Sequence, residues 1–395
     1  MSAIQLRPGL WSVGVQNPNL RVFDIIMPAD YGTSYNAYLL TGEKNVLIET
    51  VHADFFEEYV SNIQQVLPLE QVDYLIMNHT EPDHSGAVAL LLDRCPNLTV
   101  VCSAIAKRYL EAIANHTFPC RPVKDGDTLD LGTKTLRFLS APMVHWPDTM
   151  FTWDEADKTL FTCDFLGAHF CAPTMVDTCL HDPETYLHQQ EFYYQCIMGP
   201  FAPQVRAALA KVPAETELVC PSHGPTLSAT LAGALERYAQ WSAPAPVRTQ
   251  KRAAVLYCSA YGCTGKLAQA AADALSEAGL EVELRDVTFT PAEECNALAN
   301  DCDLLMIGAP TLNRDAPKVI FDVLHSIDVV NVKYKPAGVF GSYGWSGEAP
   351  DMLLQRLAQM KFNVPEGTVR ANFMPNEDDL AQVRAYALDL VSRLK

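Results

Sequence analysis

The chain holds twelve cysteines in 395 residues but no Cys-x-x-Cys pair. That absence excludes the usual zinc-ribbon, rubredoxin and ferredoxin spacings. In a reducing cytosol the scattered cysteines are expected as free, mostly buried thiols. No apolar run approaches the length of a membrane span, and Met-Ser-Ala-Ile-Gln-Leu-Arg-Pro lacks a signal-peptide core, so a cytoplasmic protein without a membrane partner is expected. Basic residues are scarce. The 29 Lys and Arg stand against 47 Asp and Glu, a formal charge of -18, which argues against nucleic acid or anionic membrane and suits a small soluble partner with a basic face. There is no Gly-x-Gly-x-x-Gly, so a nicotinamide site is not expected. There is no Walker loop either, because Gly262 and Gly265 are too close and Leu267 stands where Ser or Thr is required. The remainder is ordinary: 49% apolar and 19% charged, long enough for two or three domains.

What is present begins at Tyr74-Leu-Ile-Met-Asn-His79-Thr-Glu81-Pro-Asp83-His84-Ser-Gly86, an apolar strand running into four potential metal ligands. An extended segment would point His79, Glu81 and Asp83 the same way, with His84 offset and Pro82 and Gly86 supplying the turn. Three ligands on one side and a fourth offset suit a pair of adjacent metals. A single loop histidine usually carries no function; two imidazoles and two carboxylates within six residues are a different matter. The pattern of strand followed by ligand recurs three times: Leu136–Ser140 before His145, Thr159–Cys163 before Asp164, and Leu218–Cys220 before His223. Ligands at strand ends, each beside Gly or Pro, are how a scaffold aims rigid donors into one cleft. None of the seven is a thiolate, and such donors suit iron or manganese without excluding zinc. Three carboxylates against two divalent ions leave a residual positive charge that a bridging hydroxide would reduce.

Short strands over Trp11–Val15, Leu20–Ile26, Ala37–Leu40 and Val46–Glu49, followed by alternating helices and strands and a hairpin around Gly132, suggest two sheets packed face to face with helices outside. Prolines and basic residues over Trp241–Arg252 mark a linker. Beyond it strands (Ala253–Cys258, Glu281–Val287, Cys302–Ile307, Ala337–Phe340) alternate with helices, which means a parallel sheet covered on both faces. Three loops follow strands at one edge of that sheet: Ser259-Ala-Tyr-Gly262-Cys-Thr264-Gly265, Gly308-Ala-Pro-Thr311-Leu-Asn313 and Gly341-Ser342-Tyr-Gly344-Trp345-Ser-Gly347. The first aims hydroxyls and glycines at a helix N-terminus, an anion site.

The order His-x-Glu-x-Asp-His, then His145-Trp-Pro-Asp, Cys163-Asp164 and Ser222-His223-Gly-Pro, resembles the metallo-β-lactamase fold. With Glu81 where the hydrolases usually carry His, it resembles the flavodiiron proteins in particular. The three later loops resemble the FMN-binding loops of a flavodoxin. Together these resemblances cover nearly the whole chain. They imply an α/β protein: an αββα metallo-β-lactamase-like diiron domain over residues 1–248, then a flavodoxin-like doubly wound FMN domain over 253–395. His79, Glu81 and His145 would hold one iron, Asp83, His84 and His223 the other, and Asp164 would bridge them beside an oxo or hydroxo group. FMN would place its phosphate on Ser259, Tyr261, Gly262, Cys263, Thr264 and Gly265. Its ring would lie between Pro310, Thr311, Leu312 and Asn313 and the group Ser342, Tyr343, Gly344, Trp345 and Gly347, with Trp345 the aromatic wall. The implied activity is reduction of dioxygen to water, of nitric oxide to nitrous oxide, or both. Two ferrous ions and a reduced flavin hold the four electrons that dioxygen requires. The expected donor is rubredoxin or another small one-electron carrier, or a reduced deazaflavin, and the expected assembly a head-to-tail homodimer or a dimer of dimers. The alternative is a dinuclear zinc hydrolase fused to a flavodoxin, against which Glu81 speaks. Some relatives carry a His upstream of Gly32-Thr-x-Tyr-Asn; Asp24–Asp30 holds none, and Ile25 or a neighbour takes its place. Tyr193 and Tyr194 are candidates to bond a metal-bound ligand, and His169 is a candidate supporting residue. His52, His116, His181 and His188 read as structural or solvent-exposed.

Overall fold

The computed structural model describes residues 2–172, 174–244, 246–332 and 334–394. Met1, Ala245 and Lys395, which the expected domain limits and linker include, lie outside them. The chain divides into two compact units, Met1–Pro244 and Ala245–Lys395.

In the first unit the short apolar segments build two sheets. The larger runs in the order Ile4–Arg7, Leu10–Ser12, Tyr38–Leu40, Val46–Ile48, Tyr74–Met77, Thr99–Ser103, Cys120–Val123. Its last four strands are parallel. The smaller runs Thr128–Asp130, Thr135–Ser140, Met150–Asp154, Thr159–Cys163, Leu218–Pro221. Alternation decides which face turns inward. In Thr135–Ser140, Leu136 and Phe138 are buried while Thr135 and Arg137 meet solvent. Those two side chains and Phe161 meet Tyr38, Leu40, Ile76 and Val101 of the other sheet in one core. Each fully buried side chain of this kind stabilises by about 1.5–3 kcal/mol. A second apolar layer joins Leu47, Leu75 and Val100 to Tyr59, Ile63, Leu91 and Leu110 of the covering helices. This is the αββα sandwich. Ser103 begins one of those helices, its hydroxyl accepting from Ala106 N at 3.1 Å, and Asn115 ends it in the left-handed region.

One local expectation fails, and other elements went unread. Leu20–Ile26 is not a strand. Val22–Phe23 and Met27–Pro28 pair across a tip in which Asp24 (φ 46°) and Ile25 (φ 68°) are left-handed and Ile25 and Ile26 are exposed. The helices Pro183–Tyr193 and Ala202–Leu209, and the strand Met150–Asp154, went unread. The division between the units falls inside the expected linker, whose last residues are held to the second unit: Arg248 donates to the Asp301 carbonyl at 2.7 Å, and Gln250 to that of Gly279 at 2.9 Å.

The second unit is a five-stranded parallel sheet in the order Glu281–Asp286, Arg252–Tyr257, Leu304–Pro310, Ala337–Tyr343, Val369–Asn372, with an apolar core on each face. The last strand and the helix Ala292–Asp301 were not anticipated. No helix among the described residues is long and apolar enough to cross a membrane.

Candidate functional site

Asn78 anchors the loop that follows Tyr74–Met77. Its N–H donates to Glu49 Oε1 at 2.9 Å, its carbonyl accepts from Met150 N at 2.9 Å, and its side chain accepts from Thr152 Oγ1 at 2.7 Å. The extended run expected through Asp83 stops at Glu81, because Pro82 opens a single helical turn, Pro82–Ser85. The turn separates the ligands. His79 and Glu81 face one way, with His145 and Asp164; Asp83 and His84 face another, with His223. Gly86 closes the turn where a Cβ would stand 2.5 Å from the Pro82 carbonyl oxygen.

The seven side chains expected to meet are brought together, and Asp164 lies between the two sets. Its Oδ2 is 3.3 Å from His79 Nε2 and 3.3 Å from His145 Nε2, and Glu81 Oε2 is 3.2 and 3.1 Å from the same nitrogens. Its Oδ1 is 3.0 Å from His84 Nε2 and 3.4 Å from His223 Nε2, while Asp83 lies 3.3 and 3.0 Å from those two. Donors about 2.0–2.2 Å from a shared metal stand about 3–3.5 Å apart, so each set has the spacing of one ion. Both oxygens of Asp83 and of Asp164 are buried without a hydrogen-bond donor. A carboxylate in that condition requires a cation beside it.

The titration behaviour agrees. Burial alone would lower the imidazoles, but the carboxylates outweigh it. Asp148 and Glu81 hold His79 well above its usual value, Asp164 and Glu81 raise His145, and Asp83 and Asp164 bring His84 to about 9. Burial would likewise raise the carboxyls, yet the imidazoles hold Glu81 and Asp164 far below the usual range. In the metal-free chain, protons therefore stand where cations belong, and metal binding must expel them. An imidazole raised from 6.5 to about 9 contributes stability that is complete below 6.5 and lost as pH climbs through 9. Metal-free protein is accordingly expected to lose stability between those limits, and metal-loaded protein, whose imidazoles are already neutral ligands, is not. Denaturant titrations of both forms across that range check this.

Supporting groups set each ring. Asp148 Oδ2 lies 3.5 Å from His79 Nδ1 and accepts from Thr80 Oγ1 at 2.8 Å. His223 Nδ1 donates to the Ser34 carbonyl at 2.6 Å, which leaves the Nε2 lone pair for a metal. Asp148→Ala is expected to weaken metal binding roughly 10–100-fold without unfolding the chain, measured by competition with a chelator. The sequence carries no signal for two other acids here. Glu49 is fully buried, which pushes its carboxyl up to about 8. Asp24, on the unexpected tip, hydrogen-bonds Glu81, and partial burial followed by that contact raises it to about 6.

His169 and Tyr193 pack beside His223. The Tyr193 ring stands edge-on to His169 at 4.9 Å, and His169 lies 4.6 Å from His223 and 2.9 Å from Thr33 Oγ1. Tyr194 turns away and packs on Tyr238 and Trp241. His52 stacks near Tyr35, outside both ligand sets.

In the second unit the three loops enclose a cleft of about 200 Å³ whose walls include Tyr261, Cys263, Pro310, Thr311, Leu312, Ser342, Tyr343, Gly344 and Trp345. Ser259, Gly262, Thr264, Gly265, Asn313 and Gly347 shape it without lining it. Gly262 (φ 78°) caps the helix Cys263–Glu277, Gly265 N donates to Ser259 Oγ at 3.2 Å, and buried Thr264 meets Ser342 Oγ at 2.8 Å. Asn313 (φ 52°) turns the second loop, and Gly347 admits the Tyr343 ring. Trp345 is 74% exposed at the rim with the Arg314 guanidinium 5.7 Å from its ring centre. Phe373, which follows the unread fifth strand, completes the wall.

Residues 33–224 match the family described as ODP family beta lactamase, and 255–386 match flavodoxin. Over its full length and all of the relative's, the chain is 43% identical to flavo-diiron protein FprA2 of Clostridium acetobutylicum. The chain belongs to the flavodiiron family. A second relative, the type A flavoprotein fprA of Rhodobacter capsulatus, is 34% identical over 99% of this chain and 91% of its own. Among solved structures, rubredoxin oxygen:oxidoreductase of Desulfovibrio gigas (28% identical, 99% of both chains) superposes with a TM-score of 0.68. The flavodiiron protein of Giardia intestinalis (29% identical, 100% of this chain and 97% of that) superposes with a TM-score of 0.67. As a flavodiiron protein the chain is an oxidoreductase that carries FMN and a diiron site.

Proposed function

We propose that this flavodiiron protein reduces dioxygen to two waters, nitric oxide to nitrous oxide and water, or both, in the cytoplasm. In this reading residues 1–248 form the diiron domain and 253–395 the FMN domain. His79, Glu81 and His145 would hold one iron, Asp83, His84 and His223 the other, and Asp164 would supply an oxygen to each set. The observation that carries the reading is Asp164 itself, whose two oxygens are turned to two separate donor sets. When bound, the iron pair supplies the site at which the gas is taken up, and FMN supplies the electrons.

The chain's own groups do the rest. Asp148 and the Ser34 carbonyl fix the orientation of His79 and His223, so their Nε2 atoms need no reorganisation. The His169, Tyr193 and Phe23 rings pack around His223 and keep water from that side of it. His169 keeps its Nε2 free of any hydrogen bond, and burial followed by the neighbouring His223 holds it neutral. Tyr261 and Trp345 leave broad aromatic surface at the cleft for the flavin ring. A small one-electron carrier such as rubredoxin is the proposed donor. The proposed assembly is a head-to-tail dimer or dimer of dimers, in which one subunit's flavin serves the partner's irons. Anaerobic stopped-flow of the reduced protein against each gas tests the activity. Flavin reoxidation within turnover time with at least one of them is the supporting result, and indifference to both contradicts it.

A further inference from the structure

Outside both ligand sets and the flavin cleft, two cysteines face each other. Cys102 lies in Thr99–Ser103 and Cys120 opens Cys120–Val123, the edge strand of the larger sheet; both are reduced, and their sulfurs are 3.7 Å apart. The strands are parallel, with Val100 opposite Cys120 and Cys102 opposite Pro122, so the pair is diagonal. The two thiols are not equivalent. Cys102 is fully buried, whereas Cys120 is half-buried at the rim. The two thiols share one hydrogen-bond contact in which the deeper Cys102 keeps its proton more readily than Cys120 at the rim, and Lys107 on the adjoining helix adds positive charge that Glu111, 3.7 Å from that lysine, partly offsets. These contacts draw Cys120 below the usual thiol range, while the same pairing and burial hold Cys102 far above it.

We infer that Cys120 and Cys102 form a peroxide-reactive dithiol, in which a hydroperoxide oxidises Cys120 and Cys102 closes the disulfide. The Cys120 thiolate attacks the terminal oxygen of the hydroperoxide. An S–O bond forms, the O–O bond breaks, and water or an alcohol leaves after taking up a proton, so that Cys120 becomes a sulfenic acid. The Cys102 sulfur then attacks the Cys120 sulfur. The S–S bond forms, the S–O bond breaks, and hydroxide leaves as water with the proton of Cys102. Two thiols and one hydroperoxide give one disulfide, one alcohol or water, and one further water. The two electrons lost by sulfur are those that cleave the O–O bond.

The edge position makes closure feasible. A disulfide is about 2.05 Å long, so Cys120 must approach Cys102. Its strand pairs on one side only, and Pro122 donates no ladder hydrogen bond that would resist the shift. Partial burial favours a small oxidant over a bulky disulfide. Cys179 and Cys196 are more exposed, but among the described residues neither lies against another cysteine.

The test treats holoprotein, its iron and flavin oxidised and its thiols reduced, with a few equivalents of hydrogen peroxide, then digests it and maps cysteines by mass spectrometry. Trypsin separates the two residues, cutting after Lys107 and Arg108. The expected result is a Cys102–Cys120 cross-linked peptide that appears before oxidation of Cys179 or Cys196 and is reversed by dithiothreitol, with metal and FMN content unchanged. Cys102→Ser should stop at a sulfenic acid on Cys120 that dimedone traps, and Cys120→Ser should leave Cys102 a free thiol. Oxidation of Cys179 and Cys196 without a cross-link would overturn the inference, as would Cys102 reacting equally fast in Cys120→Ser.

Discussion

Asp164→Asn is expected to abolish reduction of both gases, with a loss well beyond the roughly 100-fold typical of a supporting residue, and to leave FMN content unchanged. The substitution preserves shape and removes one donor. One carboxylate oxygen faces His79 and His145 and the other faces His84 and His223. An amide offers a single oxygen, and its nitrogen has no lone pair to share, so one metal loses a ligand whichever way the group turns. The set also loses a negative charge while the imidazoles remain. Metal analysis of the variant should find fewer than two ions, and circular dichroism should show a folded chain. Full activity in a variant with both metals would place the bridge elsewhere.

The second large effect concerns the flavin. Riboflavin is expected to bind the metal-loaded, flavin-free protein at least ~100-fold more weakly than FMN. The difference between the two is the phosphate, and Ser259–Gly265 presents a helix N-terminus and hydroxyls to it. Two charge-assisted hydrogen bonds at about 1.5–3 kcal/mol each amount to roughly 10²–10⁴ in affinity. Titration of flavin fluorescence measures both constants. Equal affinity would mean that the ring alone is recognised, through Trp345, Tyr261 and Phe373.

How far the site could be read from residues alone depended on where each residue sits. Ligands at strand ends were legible because residue type and the neighbouring Gly or Pro coincide at the same places, and a rigid sheet then does the positioning. Their division into two sets was not legible from spacing, since it depends on Pro82 ending the extended run. Asp148 closes the His145-Trp-Pro-Asp motif, but its role lies in contacts to Thr80 and His79, distant in sequence, and Glu49 accepts from the Asn78 backbone; such contacts leave no local pattern. The tip at Asp24–Ile26 was misread for a specific reason. Val22, Phe23, Ile25 and Ile26 resemble a strand by composition, yet Ile25 is 94% exposed in a left-handed turn that burial patterns never favour. Val369–Asn372 escaped notice because only Val369 and Ala371 of its four residues are buried, and Phe373 was overlooked with it. Pro183–Tyr193 shows the same weakness, burying Gln190 while Leu187 stays exposed.

The most direct test of the whole account is the metal content of protein produced in iron-rich medium with zinc also available. Two irons per chain, antiferromagnetically coupled in the oxidised state, are predicted. One metal per chain, none, or a pair of zinc ions would contradict it.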